Sequence, residues 1–246
     1  MPGADGLPPQ TGAGQHICES IFPGNMIIWN YRYGPAWTFR SARQIWLIPV
    51  KEFHYRIQTG SSGTVRSTGF GPAVPERVML IRAEKERDRA AVHDLNRSAF
   101  ETSLEADLVD ALREQAQPAV SLVAEDGGVV IGHIMFSPVS LPDYPGSKIM
   151  GLAPMAVATD RRGKGIGSAL VRFGLERCRQ MGFGAVVVLG HPVYYPCFGF
   201  TPASRFGIGC EYEAPDEAFM VMELHPGYLR GLSGTVKYHP AFQNAG

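Results

Sequence analysis

The sequence predicts a mixed α/β fold over residues 79–225, with a central, mostly antiparallel sheet flanked by helices. Three observations carry that reading. Apolar strand-like runs outnumber helical-period runs and do not alternate with them one for one, as a doubly wound parallel sheet requires. Two of the runs, 120–125 and 129–139, are joined by Asp126-Gly127-Gly128, a tight hairpin turn. A third, AVVVL at 185–189, is apolar throughout and follows an amphipathic helix, which marks a buried strand of parallel character.

Taken in order, residues 78–82 form a short strand. Residues 83–100 place Ala91, Val92, Leu95 and Ala99 at helical spacing with charges between them. Residues 103–115 repeat the pattern with Leu104, Leu108, Val109 and Leu112. Thr102 or Ser103 caps that helix and Pro118 follows its end. After the hairpin comes a proline-containing loop at 141–146, then a strand at 149–158. Pro154 lies inside that strand and cannot donate to a ladder, so a bulge or a splayed edge is expected there. Residues 167–181 form an amphipathic helix with Leu170, Phe173, Cys178 and Met181 near one face, and Gly182 stops it. A short aromatic helix at 193–198 follows the 185–189 strand. Residues 201–212 and 218–224 are expected to pair as the last antiparallel strands, and residues 226–246 form a tail that packs on the domain.

Composition excludes several classes of function. A chain of 246 residues with 45% hydrophobic and 19% charged residues builds a true core. Its net charge of zero gives no argument for nucleic acid or an acidic membrane surface as partner. Cys18, Cys178, Cys197 and Cys210 form no C-x-x-C pair, which suits free thiols in a reducing, cytoplasmic setting. No apolar run is long enough for a membrane span, no signal-peptide pattern opens the chain, and no histidine spacing marks a metal site. Residues 1–78 read differently from the rest. They hold all three tryptophans, Trp29, Trp37 and Trp46, in an aromatic, basic stretch without a sustained period. They are expected to be an extension without a stable fold, or upstream of the true start at Met79.

The stretch RRGKGIGSAL, from Arg161 to Leu170, carries the chemistry. Gly163, Gly165 and Gly167 bare the backbone where a helix begins, and a helix start offers unpaired N–H groups and a positive dipole end to a phosphate. Arg162 and Lys164 add charge. A dinucleotide fold needs G-x-G-x-x-G early and an acid ending the next strand, but that strand ends Leu189-Gly190-His191. A nucleoside-triphosphate loop needs Lys-Ser/Thr after its second glycine, and none is present. A third pattern, [Q/R]-x-x-G-x-[G/A] after an apolar strand, is filled completely by Arg162-Gly163-Lys164-Gly165-Ile166-Gly167.

That pattern, the strand ending Met155-Ala156-Val157, and the later Tyr195-Pro196-Cys197-Phe198-Gly199-Phe200 occur in an order that resembles the GNAT superfamily of N-acetyltransferases, over roughly residues 79–224. Details of the strand, the Tyr-Tyr pair and the tail resemble a bacterial branch of predicted acetyltransferases. The resemblance implies the GNAT acyl-CoA fold with a splayed central sheet, acetyl-CoA as co-substrate with no metal, and transfer of acetyl to a primary amine by direct attack. It implies that Arg162, Gly163, Lys164, Gly165, Ile166, Gly167 and Ser168 cradle the pyrophosphate. The main chain of Met155, Ala156 and Val157 would hold the pantetheine arm. Tyr195, by its place in the pattern, would be the acid that protonates the leaving thiolate. Glu125 and His133, on neighbouring strands, are candidates for the base. The asparagine that many members place seven residues before the tyrosine is Val188 here, and His191-Pro192 occupies the turn. The implied partner is a small-molecule or peptide amine, with no nucleic acid or membrane, in a monomer or homodimer. A CoA-binding sensor without catalysis, or use of another acyl chain, are the rival readings.

Overall fold

The structure of the chain, a computed structural model, describes residues 79–245 throughout and, upstream of them, strands at residues 16–22, 25–31 and 52–55. The remainder of the expected N-terminal extension lies outside the described residues. Strands β1 (His16–Phe22) and β2 (Asn25–Tyr31) pair antiparallel as a sheet of their own. Strand β3 (Glu52–Tyr55) pairs antiparallel with β4 (Met79–Ala83), so the described upstream strands stand where the sequence predicts no element.

From β4 the order follows the sequence reading closely. Helices α1 (Arg89–Ala99) and α2 (Leu104–Gln115) precede β5 (Val120–Asp126), β6 (Val129–Val139) and β7 (Ile149–Val157). Helix α3 (Ile166–Gln180) leads to β8 (Ala185–Leu189). The last strands are β9 (Thr201–Pro202), β10 (Ile208–Cys210), β11 (Phe219–Glu223) and β12 (Gly234–Val236). The main sheet runs β3-β4-β5-β6-β7-β8-β11-β9, antiparallel at every step but β7–β8.

Two cores lie on the two faces of this sheet. On one, Leu170, Val171, Leu175 and Cys178 of α3 pack on Ile134, Phe136, Met150 and Leu152. On the other, Val92, Leu108, Val109 and Leu112 of α1 and α2 pack on Val123, Met135, Ile149 and Ala153. The tail joins that second core through Leu229, Val236, Tyr238 and Phe242.

Two elements depart from the sequence reading. The strand expected at 201–212 breaks into β9, a short 3₁₀ turn Ala203–Phe206, and β10. Pro202 cannot extend a ladder, and Gly207 turns the chain at φ 68°. β10 then leaves the main sheet and pairs parallel with β12. The helix expected at 83–100 starts only at Arg89. Asp88 is occupied instead with Arg82, which donates Nη2–H to its Oδ1 (2.9 Å), and with the Lys85 backbone N–H (2.7 Å). Arg82 also donates to Glu125 on β5, so one buried guanidinium ties β4, β5 and the approach to α1 together.

The Arg82 and Asp88 side chains are only 3% and 6% exposed, and their pairing holds the Asp88 carboxyl below its usual range. Removing one partner of a buried pair strands the other charge. Asp88→Ala is expected to lose about 3 kcal/mol in urea denaturation, and Asp88→Asn, which keeps a hydrogen-bond acceptor, a smaller amount.

Candidate functional site

Strands β7 and β8 part company early. Their parallel ladder covers only Ile149↔Ala185, Met150↔Val186 and Gly151↔Val187. Beyond Gly151, β7 stays paired to β6 as far as Val157↔Gly132, while β8 continues against β11 to Leu189↔Phe219. A fork opens between them. The cause is local to Pro154: the β6–β7 register jumps from Ile134↔Met155 to Phe136↔Leu152, so β7 carries an extra residue there. The bulge also resets the alternation of side chains. Met150 and Leu152 join the α3-side core, and past the bulge Met155 and Val157 pack on that same side. Ala156 instead lies with Leu95 and Ala99 of α1.

The glycine loop stands at the end of that strand. Gly163 and Gly165 adopt φ of 72° and 79°, left-handed values that cost a side chain strain. Gly165 is the N-cap of α3, and the first helical bond runs from the Ala169 N–H to its carbonyl (3.0 Å). Having no side chain, Gly165 cannot cap the N–H groups of the first turn, which carry the positive end of a 15-residue helix. Gly167 is required for space: a Cβ there would stand 3.1 Å from the Tyr194 hydroxyl and 3.6 Å from the Met155 Sδ.

The two basic side chains of the loop turn onto backbone carbonyls. Arg162 donates to Val157 O (3.2 Å) and Ala99 O (3.3 Å), bracing the strand end against α1. Burial lowers its pKa. Lys164 Nζ donates to Asp160 O (3.0 Å). Met155, Ala156, Val157 and the run Arg162 to Ser168 thus sit together at the fork and the adjoining helix start.

The two tyrosines are placed differently from one another. Tyr195 opens a 3₁₀ turn, Tyr195–Phe198, and is 8% exposed. Its ring lies over Gly190 and against Phe200, with centroids 5.6 Å apart. Tyr194 is half-buried and brings its hydroxyl beside Gly167, where Met155 also packs. Cys197 Sγ–H donates to Tyr194 O (2.8 Å), and His191 Nδ1 accepts from the Val193 N–H (3.2 Å).

Neither candidate base fits that role. Glu125 is paired with Arg82. His133 is fully buried, and its bonds determine its tautomer. Asn96 Nδ2 donates to Val92 O (2.8 Å) and to His133 Nδ1 (3.2 Å), so Nδ1 is the acceptor. Nε2–H then donates to Ser121 Oγ (3.0 Å), whose hydroxyl donates to Glu84. Arg113 completes the chain on Glu84 (2.7 Å). Burial pushes the imidazole down to about 3, so it cannot take a proton from an ammonium near neutral pH. His133 fastens α1 and α2 to the sheet. Sequence reasoning also missed Ser137, which stands opposite Gly151 on the face away from α3, Tyr238, whose ring lies over Gly151, and Tyr212, whose ring packs on that of Tyr238. The tail's short alternation at Val236-Lys237-Tyr238 was the available signal.

A family model described as the Acetyltransferase (GNAT) family matches residues 89–194. The protein named Uncharacterized N-acetyltransferase YhbS of Escherichia coli (strain K12) is 40% identical over 167 residues, spanning 67% of this chain and 98% of that one. The crystal structure of the Escherichia coli YhbS protein in complex with CoA is similar with a TM-score of 0.64 at 38% identity, covering 67% of this chain and 92% of that chain. A GNAT family acetyltransferase from Brucella melitensis in complex with acetyl-CoA is similar with a TM-score of 0.56 at 35% identity, covering 67% and 97%.

A histidine held neutral in the fold gains a proton on unfolding, so stability present above its unfolded value of about 6.5 is lost as pH falls toward the folded value. Denaturation at pH 7.5 and 5.5 is expected to differ by about 1.4 kcal/mol on this account. His133→Gln should flatten that slope whatever its own stability.

Proposed function

The chain belongs to the GNAT family of acetyltransferases, and from that premise we propose that it moves an acetyl group from acetyl-CoA to the primary amine of an acceptor by direct attack. The observation that carries this reading is the fork beside an uncapped helix start. The first supplies main-chain groups along Met155 to Val157 for a peptide-like pantetheine arm, and the second supplies the N–H groups of Gly163 to Ser168 for a pyrophosphate. The two adjoin, as one continuous ligand requires. Arg162 and Lys164 brace the loop and add positive charge beside it. The domain runs from residue 79 to 225 with the tail packed on it, and the reaction belongs in the cytoplasm, where Cys178, Cys197 and Cys210 remain free thiols.

The neutral amine nitrogen forms its bond to the thioester carbonyl carbon, the C–S bond breaks, and the amine proton leaves to water. The departing thiolate needs a proton, and a phenol near the sulfur can give it. Tyr195 takes this role by its place in the sequence pattern. Tyr194 is the second candidate, because its hydroxyl lies beside Gly167, where Met155 also packs.

A panel of amines assayed by thiol release from acetyl-CoA tests the proposal. Tyr195→Phe is expected to lower kcat by about 10²-fold with CoA affinity unchanged. The same loss in Tyr194→Phe alone transfers the role to Tyr194. Tight CoA binding with no amine acetylated would favour a CoA sensor.

Gly165→Val forces a β-branched residue to φ 79° at the helix start. It is expected to abolish CoA binding by calorimetry, and unchanged affinity would remove the loop from the site.

A further inference from the structure

On the sheet face opposite α3, the hydroxyl oxygens of Ser137, Tyr212 and Tyr238 are buried and have no hydrogen-bond partner among the described residues. Their side chains are neighbours in the fold. Ser137 stands opposite Gly151 across the β6–β7 ladder, on the same face of the sheet. The Tyr238 ring lies over Gly151, where an added Cβ would be 3.0 Å from its Cε1. The Tyr212 ring centroid is 5.6 Å from that of Tyr238. Gly151 is the last residue of β7 paired to β8, so the cluster sits where the fork begins.

The segment that carries Tyr238 is held firmly. Ser140 and Lys237 exchange backbone hydrogen bonds of 2.9 and 2.8 Å, and the Tyr238 N–H donates to Glu211. Burial raises the Tyr238 phenol well above its usual value, and Tyr212, Glu211 and Tyr195 act in the same direction, so it stays a neutral donor and acceptor. A buried hydroxyl without a partner is costly to the fold, and three of them here lie on neighbouring side chains. Glu211, which accepts from the Tyr238 N–H, is also paired with Lys237. The wall is therefore neutral and hydrogen-bonding, suited to an uncharged polar group rather than to a second cation or an anion.

Resting on the transferase reading, we infer that Ser137, Tyr212 and Tyr238 form the acceptor subsite, and that the acceptor is a primary amine bearing a hydroxyl or amide group close to its nitrogen. Because these oxygens are closed to bulk solvent, a ligand group that reaches them is desolvated. An analogue lacking that group leaves them unpaired and is strongly disfavoured.

The test uses two matched pairs of amines, ethanolamine against propylamine and glycinamide against isobutylamine, with acetyl-CoA and the full chain. The polar member of each pair is expected to be preferred in kcat/KM. In Tyr238→Phe, which keeps the ring and removes the unpaired oxygen, the preference should shrink at least about tenfold, through a higher acceptor KM. CoA affinity should hold, and thermal stability should hold or rise, because the variant removes a buried hydroxyl that has no partner in the fold. Comparing the preference between the two proteins cancels the different basicities of the amines. Acetylation of the alkylamines with the same preference in both proteins would overturn this proposal and leave the transferase standing. Thiol release from none of the four, with CoA bound, would also overturn it, while the broad amine panel judges the transferase separately.

Discussion

Everything at the candidate site depends on β7 being unable to stay beside β8. Three residue pairs hold the strands together, and then the extra residue at Ala153–Pro154 takes β7 out of register. A proline without an N–H is tolerated where the ladder is already broken, and the same bulge returns Met155 and Val157 to the α3 side. Had the alternation continued unbroken, Ala156 would face α3, and Met155 and Val157 would meet α1. The opening of the fork and the surface beside it are thus two results of one insertion in one strand.

The two faces of the sheet then take different work. The α3 face meets a helix start whose dipole and bare N–H groups attract an anion. The opposite face is closed by polar chains that carry little free charge near the fork. Arg82 is shared by the carboxylates of Asp88 and Glu125 at one edge, and a donor chain runs from Asn96 through His133 and Ser121 to Glu84, which Arg113 meets from the other side. These networks anchor α1 and α2 to the sheet, and beside them the hydroxyls of Ser137, Tyr212 and Tyr238 are buried without a partner among the described residues.

How much was legible in the sequence follows from how local each signal is. β6 and β8 could be read to the residue, because a hairpin turn and a fully apolar run are written in contiguous residues. The glycine loop was legible for the same reason: its strained φ values and its helix start lie within a few positions. The start of α1 was not, because Asp88 is diverted by Arg82, itself held to Glu125 on β5, a partnership that periodicity cannot see. β10 was assigned to the wrong sheet because its partner β12 lies in a tail with little periodicity. Tyr195 was chosen from a pattern, and whether its hydroxyl or that of Tyr194 meets the loop depends on a turn only a few residues long. The hydroxyl cluster was invisible, since Ser137, Tyr212 and Tyr238 are remote from one another along the chain.

The parallel pairing of β10 with β12, and the Ser140–Lys237 bridge beside it, set an order of assembly during synthesis. Chains emerge from the ribosome N-terminus first, at roughly 5–20 residues/s, and domains fold as their parts appear. The glycine loop and α3 leave well before Tyr238. The half of the domain that carries the loop can therefore form before Tyr238 has emerged, and the far face of the sheet stays open until the segment carrying Tyr238 packs into its core.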